Sequence, residues 1–388
     1  MAAVKSGRLI VAAILAVLVY GMIAAMLGTL LPNLSARFSL TPEQNGNIAF
    51  VQALGLIIAS VSVGPLIDNK GKKTGLLMGL FLIAAALFAL PNASSYEMVM
   101  VFIFVLGLGG GIIVTAANAL VSDINPERRS STLNLLNLFF GLGGLLTPLI
   151  AARLFAGDEV SLCYLVAGLT VVTLIVHTTT AMPAPSGERG FKTSEMGGLL
   201  GKPVLWLLSL FLFLYCTCEV GIWNWLAKHL IAQGIPESQA LTILSLGFAL
   251  GLLIGRVVVS RILIKVSAPT VTLFASILMT VTTYLALQSA DATVAYVAVF
   301  CAGLAMAPVF PTTLGMTGDA FPKGTATAMG IVITSGWIGL AVSSKIIGGI
   351  AGGDDTRLKT ALMVLPAASL IMVVVNLILR PMVAKAKA

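Results

Sequence analysis

The chain has 388 residues, of which 58% are hydrophobic and only 10% are charged. Soluble domains carry roughly 25% charged residues, so this composition excludes an ordinary soluble globule and points to an all-α membrane protein whose spans take about 20 residues each. The net charge of +8 would suit nucleic acid, but the basic residues gather between apolar runs, where they act as a topology signal, and no nucleic-acid partner is expected.

Apolar runs broken by charge, Gly or Pro predict twelve transmembrane helices near 8–31, 44–67, 74–91, 97–121, 131–154, 160–181, 203–230, 238–262, 269–289, 293–318, 324–350 and 359–383. The first run is long enough to span, and no small-residue cleavage site follows it, so it is read as a span rather than a signal peptide. The long polar stretch PAPSGERGFKTSEMGGLLGK, 183–202, divides the chain into an N-terminal six-helix half (1–182) and a C-terminal six-helix half (203–388), with a cytoplasmic linker between them. An even number of spans puts both termini on one side. Most of the 23 Lys and Arg fall on that side, so both termini and the linker are expected in the cytoplasm of a cell whose inner membrane the chain crosses.

The halves repeat. A shift of 196 residues aligns Gly55 with Gly251, Gly107 with Gly303, Asp123 with Asp319, Pro126 with Pro322 and Gly143 with Gly339. Two parallel six-helix copies form the pseudo-symmetric plan of transporters that rock around a midplane site.

Between spans 2 and 3 lies GPLIDNKGKK, residues 64–73. Gly64 permits close helix approach, and Asp68 can cap a neighbouring helix or pair with a cation. Gly71 makes the turn, and Lys72 and Lys73 anchor one face. The bland alternative is a charged loop obeying the positive-inside rule. The pattern G-x-x-x-D-x-x-G-[KR]-[KR] resembles the signature of the major facilitator superfamily, with Asn69 where that family usually has a basic residue. The resemblance implies that Asp68 makes an inter-helix contact that holds the outward-facing state, a conformational latch. The second copy has Ser260 and Ile264 in place of Gly64 and Asp68, so the latch is expected mainly in the first half.

Spans 4 and 5 carry small-residue stripes bearing amides. Gly107, Gly111, Thr115 and Asn118 share one helix face, as do Asn134, Asn137, Gly141, Gly144 and Pro148. One reading has the amides holding helices together. The other has them facing a central cavity, where groups that both donate and accept suit hydroxyls. TAAN at 115–118, LNLLN at 133–137, FGLGGLLTP at 140–148 and LYCTCEVGIW at 214–223 resemble the fucose:proton symporter family and its glucose-transporting relatives. That resemblance implies coupling carboxylates in spans 1 and 4. Here Gly28 and Val114 stand at those positions, so the chain is either a uniporter or couples to H+ or Na+ by other means.

Glu219 is the one acid far from every predicted helix end. Sixteen residues past Pro203, it lies about 24 Å along span 7. A charge there marks a functional site by default. Tyr215, Glu219 and Trp223 recur every four residues, so two aromatic rings flank a carboxylate on one face, a combination that suits a pyranose. Helix packing and proton coupling are the competing roles for Glu219. Gln52 in span 2, and Thr334 with Trp337 in span 11, are further candidates to line a sugar site. Trp225 and His229 are expected in an interfacial aromatic belt, and Arg256 is expected to neutralise a helix end. Pro308 and Pro311 predict a broken span 10.

Four cysteines lie in apolar runs and are read as small buried residues, without a disulfide or metal role. His177 and His229 sit on different spans, and no HExxH, CxxC or Walker motif occurs, so neither enzyme, metal, cofactor nor ATP-driven transport is expected. The leading expectation is a monomeric secondary transporter of a neutral sugar, a hexose, working by alternating access in the lipid bilayer. An exporter of amphipathic compounds or lipids, and a non-transporting nutrient sensor, are the alternatives.

Overall fold

The computed structural model describes residues 2–155, 158–183, 196–352 and 357–387, so most of the 183–202 linker lies outside the described residues. Most of those residues are helical, with no strand among them. Lipid offers no water to backbone amides, so a chain this apolar must satisfy them within helices. Twelve helices are long and apolar enough to cross a membrane. They are α1 (Gly7–Leu31), α2 (Gln44–Lys70), α3 (Lys72–Asn92), α4 (Tyr96–Ile124), α5 (Pro126–Ala151), α6 (Glu159–Thr179), α7 (Pro203–Ala232), α8 (Ser238–Ile262), α9 (Ala268–Gln288), α10 (Ala292–Ala320), α11 (Thr325–Ala351) and α12 (Leu358–Ala384).

Polar residues between the apolar runs start the helices. Thr41 and Gln44 form a reciprocal capping box ahead of α2. Asp158 caps α6 by accepting from the amides of Val160 and Ser161, both at 3.2 Å. The hydrogen bonds from Ser161 hold its carboxyl below the ordinary range. Asp291 caps α10 through Thr293 and Val294, both at 2.9 Å. The predicted break in span 10 falls between Ala292–Met306 and Val309–Ala320, around Pro308, which has no N–H to continue the ladder. In α8 the stretch Ile243–Ala249 is a π-helical segment, which the sequence did not announce.

The chain forms two compact units. The first comprises Met1–Ile124, Leu136–Gly197 and Phe321–Thr334, and the second Asn125–Leu135, Gly198–Ala320 and Ser335–Ala388. Within the first unit, α2 and α4 meet through reciprocal glycines. A Cβ on Gly55 would lie 2.5 Å from the Phe104 carbonyl, and one on Gly107 would overlap the Gln52 carbonyl. Within the second unit, a Cβ on Gly251 would overlap the Phe300 carbonyl, and one on Gly303 the Phe248 carbonyl. Gly143 lies against Leu18 of α1 in the first unit, and Gly339 against Phe213 of α7 in the second. The glycines that the 196-residue shift aligns thus make equivalent helix approaches in their own units. Gly107→Ala should therefore cost about 1–3 kcal/mol of stability by overpacking. The melting temperature of purified protein reads this directly, and an unchanged value would mean that α2 and α4 separate easily.

Candidate functional site

Asp68, near the end of α2, is fully buried. Its Oδ1 accepts from the Ala326 amide at 3.2 Å, and its Oδ2 from the Thr327 amide and hydroxyl, both at 2.8 Å. These amides lie in the first turn of α11, so the carboxylate sits at the positive end of that helix. Gly64 makes room, because a Cβ there would come within 2.6 Å of Thr327 Cα. Gly71, at φ 96°, joins α2 to α3 in a conformation that favours glycine, and its amide closes on the Ile67 carbonyl at 2.8 Å. Lys72 Nζ stands 3.7 Å from Asp68 Oδ1 and 2.8 Å from Asp123 Oδ2, with only 3% of its side chain exposed. Lys73 donates to the Thr178 and Thr180 carbonyls at the end of α6, at 2.7 and 3.1 Å. The whole cluster lies in the first unit.

Also in the first unit, the amides of α4 and α5 bond to each other. Asn137 Nδ2 donates to Asn118 Oδ1 at 2.9 Å, and Asn118 Nδ2 donates to the Val114 carbonyl at 2.7 Å. Thr115 donates to the Gly111 carbonyl at 2.9 Å, and its methyl faces Gly330 of α11. Gln52 is buried beside the Gly107 crossing. Asn134 lies instead in the second unit, where its Nδ2 donates to the Ser130 carbonyl at 2.8 Å and to Thr312 Oγ1 at 3.0 Å. Its Oδ1 is buried and accepts no hydrogen bond.

The α7 residues form a graded strip in the second unit. Tyr215 is fully buried, Glu219 is half-buried, and Trp223 is 39% exposed. Trp223 meets Phe248 of α8 edge-on, with centroids 5.3 Å apart. The Tyr215 hydroxyl makes no well-aligned hydrogen bond, and the Glu219 carboxylate is its interaction partner. Arg256 of α8 is the electrostatic partner of Glu219. It is only 5% exposed, six residues before the end of α8. Thr334 keeps a buried hydroxyl without a hydrogen bond, and Trp337, one turn on, is half-buried. His229 lies three residues before the end of α7. It is 1% exposed, and its Nε2 lies 3.1 Å from the Leu287 carbonyl next to the end of α9.

The sequence pattern of the Major Facilitator Superfamily matches residues 13–386. The chain belongs to this family. It is 24% identical over 369 residues to the glucose/mannose transporter GlcP of Bacillus subtilis, covering 90% of each chain. It is 23% identical over 388 residues to Bypass of stop codon protein 6 of Saccharomyces cerevisiae, covering 88% of this chain and 76% of that one. Its fold superposes on FucP in the outward conformation with a TM-score of 0.82 at 17% identity, over 95% of this chain and 98% of that one. The protein is therefore a multi-pass membrane transporter of the major facilitator fold, and not an enzyme.

Sequence reasoning missed three partnerships in this major facilitator protein. Asp123 was marked only as a repeat position, yet it holds Lys72 at 2.8 Å. Its repeat mate Asp319 holds Arg129 at 2.7 Å in the second unit. Arg256 acts electrostatically on Glu219. The shared D-x-x-P was the available signal for the first two. For the third it was an arginine inside an apolar run, which must be paired. The Asn118–Asn137 bond gives a graded prediction. Each single Ala variant should lose about 0.5–1.5 kcal/mol of stability, and the double variant less than the sum. Additive losses in a thermal double-mutant cycle would show that the amides act separately.

Proposed function

We propose that this transporter carries a neutral sugar, a hexose, across the cell membrane by alternating access. The observation that carries the reading is the α7 strip, a half-buried Glu219 within the electrostatic reach of Arg256, followed by an exposed Trp223 one turn on. A carboxylate can hold two sugar hydroxyls while an indole face covers the apolar side of the ring. Similarity to a glucose/mannose transporter along most of both chains supports the same substrate class. Further proposed sugar contacts are Asn118, Asn137, Thr115, Gln52 and Thr334 in the first unit and, separately, Asn134 and Trp337 with Tyr215 in the second. Asp68 with Gly64, Gly71, Lys72 and Lys73 is the proposed latch, and its hold on the first turn of α11 supports that role. The division at the 183–202 linker, the cytoplasmic termini, the monomeric state and the choice between uniport and coupling to H+ or Na+ belong to the same proposal.

One observation favours a second reading. A buried arginine such as Arg256 can bind a substrate carboxylate in a fork, which suits an organic anion. Uptake of labelled sugars and organic acids into proteoliposomes, with and without pH and sodium gradients, separates the two. Hexose counterflow is the expected result, and accumulation of acids alone would overturn the sugar reading.

A further inference from the structure

A cavity of about 420 Å³ opens at one end of the second unit, where α5 and α9 begin and α8, α10 and α12 end. Its volume is that of small-ligand sites, roughly 300–1,000 Å³. Arg128, Arg129 and Arg380 line it, against Glu127 and Asp319. Asp319 is already committed, because its Oδ1 sits 2.7 Å from Arg129 Nη1. Arg128 and Arg380 are exposed and make no ion pair among the described residues. The N-terminus of α9 also opens on the cavity without a side-chain cap, since the Ser267 hydroxyl is engaged with Thr270 Oγ1 at 2.8 Å. Cationic forks and a helix N-terminus therefore converge on one hollow, and all of them favour an anion. Leu263, Val266 and Val383 supply an apolar flank.

We propose that this cavity binds a phosphate-bearing anion, held by Arg128 and Arg380 and shared with Arg129, and that its occupancy clamps the start of α5 to α9 and α12. A guanidinium has five N–H donors, so Arg129 can keep Asp319 and still donate to a phosphate. The cavity lies where five spans end, which is headgroup depth in a bilayer. Two sources share this chemistry, an anionic phospholipid headgroup and a soluble phosphate. The site is separate from the α7 strip and does not depend on what the transporter carries.

The test uses the full chain in phosphatidylcholine nanodiscs, with phosphatidylglycerol added in steps or inorganic phosphate titrated in. Hydrogen exchange is followed over residues 126–131 and 264–269. Protection that grows with phosphatidylglycerol and not with phosphate assigns the lipid, and the reverse assigns the soluble anion. The R128Q/R380Q variant should need roughly 25-fold more anion for half-protection, since each basic group near an anionic surface contributes about fivefold. Glu127→Gln should need less, which guards against a variant that merely loosens the fold. Protection that is the same in all conditions, or unchanged in R128Q/R380Q, would overturn the site.

Discussion

Asp68→Asn should lower transport turnover at least tenfold while leaving substrate affinity nearly unchanged. The carboxylate accepts three hydrogen bonds from the first turn of α11, at 2.8–3.2 Å, from a fully buried position. Asparagine is nearly the same size but offers one acceptor, and its amide hydrogens would face the Ala326 or Thr327 amide. Removing one charge from a buried charged cluster costs about 3–5 kcal/mol, and each 1.4 kcal/mol is a tenfold change in an equilibrium. Any state that needs this contact is therefore depopulated by roughly 100-fold or more. Lys72 keeps Asp123 at 2.8 Å, so the variant should still fold. Thr327→Val removes only the hydroxyl bond and should give a smaller loss, about 1 kcal/mol. Turnover in proteoliposomes and ligand affinity in detergent separate these effects. A parallel loss of affinity and turnover would rule out a purely conformational role for Asp68.

Glu219→Gln should retain sugar exchange with weakened affinity at every pH. The glutamine keeps the size and some hydrogen bonding, but it cannot take up or release a proton. It also removes the negative charge that acts on Arg256, which is 5% exposed. Losing one charge of an interacting pair around a buried arginine destabilises, so the melting temperature should fall as well. Arg256→Gln should destabilise similarly, and the double variant should recover much of the loss, because the two penalties have one origin. Transport then sorts the roles. Lowered affinity with accumulation intact identifies a substrate contact. Surviving exchange with abolished gradient-driven accumulation assigns proton coupling instead. Wild-type affinity and accumulation together would leave Glu219 as a packing residue and sink the sugar site on α7.

The sequence by itself determined the twelve helices, their approximate ends and the family. Hydropathy acts locally, since each run must satisfy its own backbone in lipid, so a single span can be recognised without its neighbours. The loop from Gly64 to Lys73 was legible as a motif because its residues are contiguous, although Asp68, Lys72 and Lys73 find partners far along the chain. The repeated glycines were legible because two copies of one packing problem need the same small residues, and α2–α4 and α8–α10 meet through them. Partners were decided only in three dimensions. Lys72 could have taken Asp68, four residues away, yet the packing of α3 against α4 brings Asp123 closer. Asn134 and Asn137 are neighbours on one helix, but the first bonds Thr312 and the second Asn118. Arg256 read as a helix-end charge, yet it is 5% exposed and acts electrostatically on Glu219 of α7. Side-chain pairing depends on which helices pack and at what height, and neither quantity is encoded within a single span.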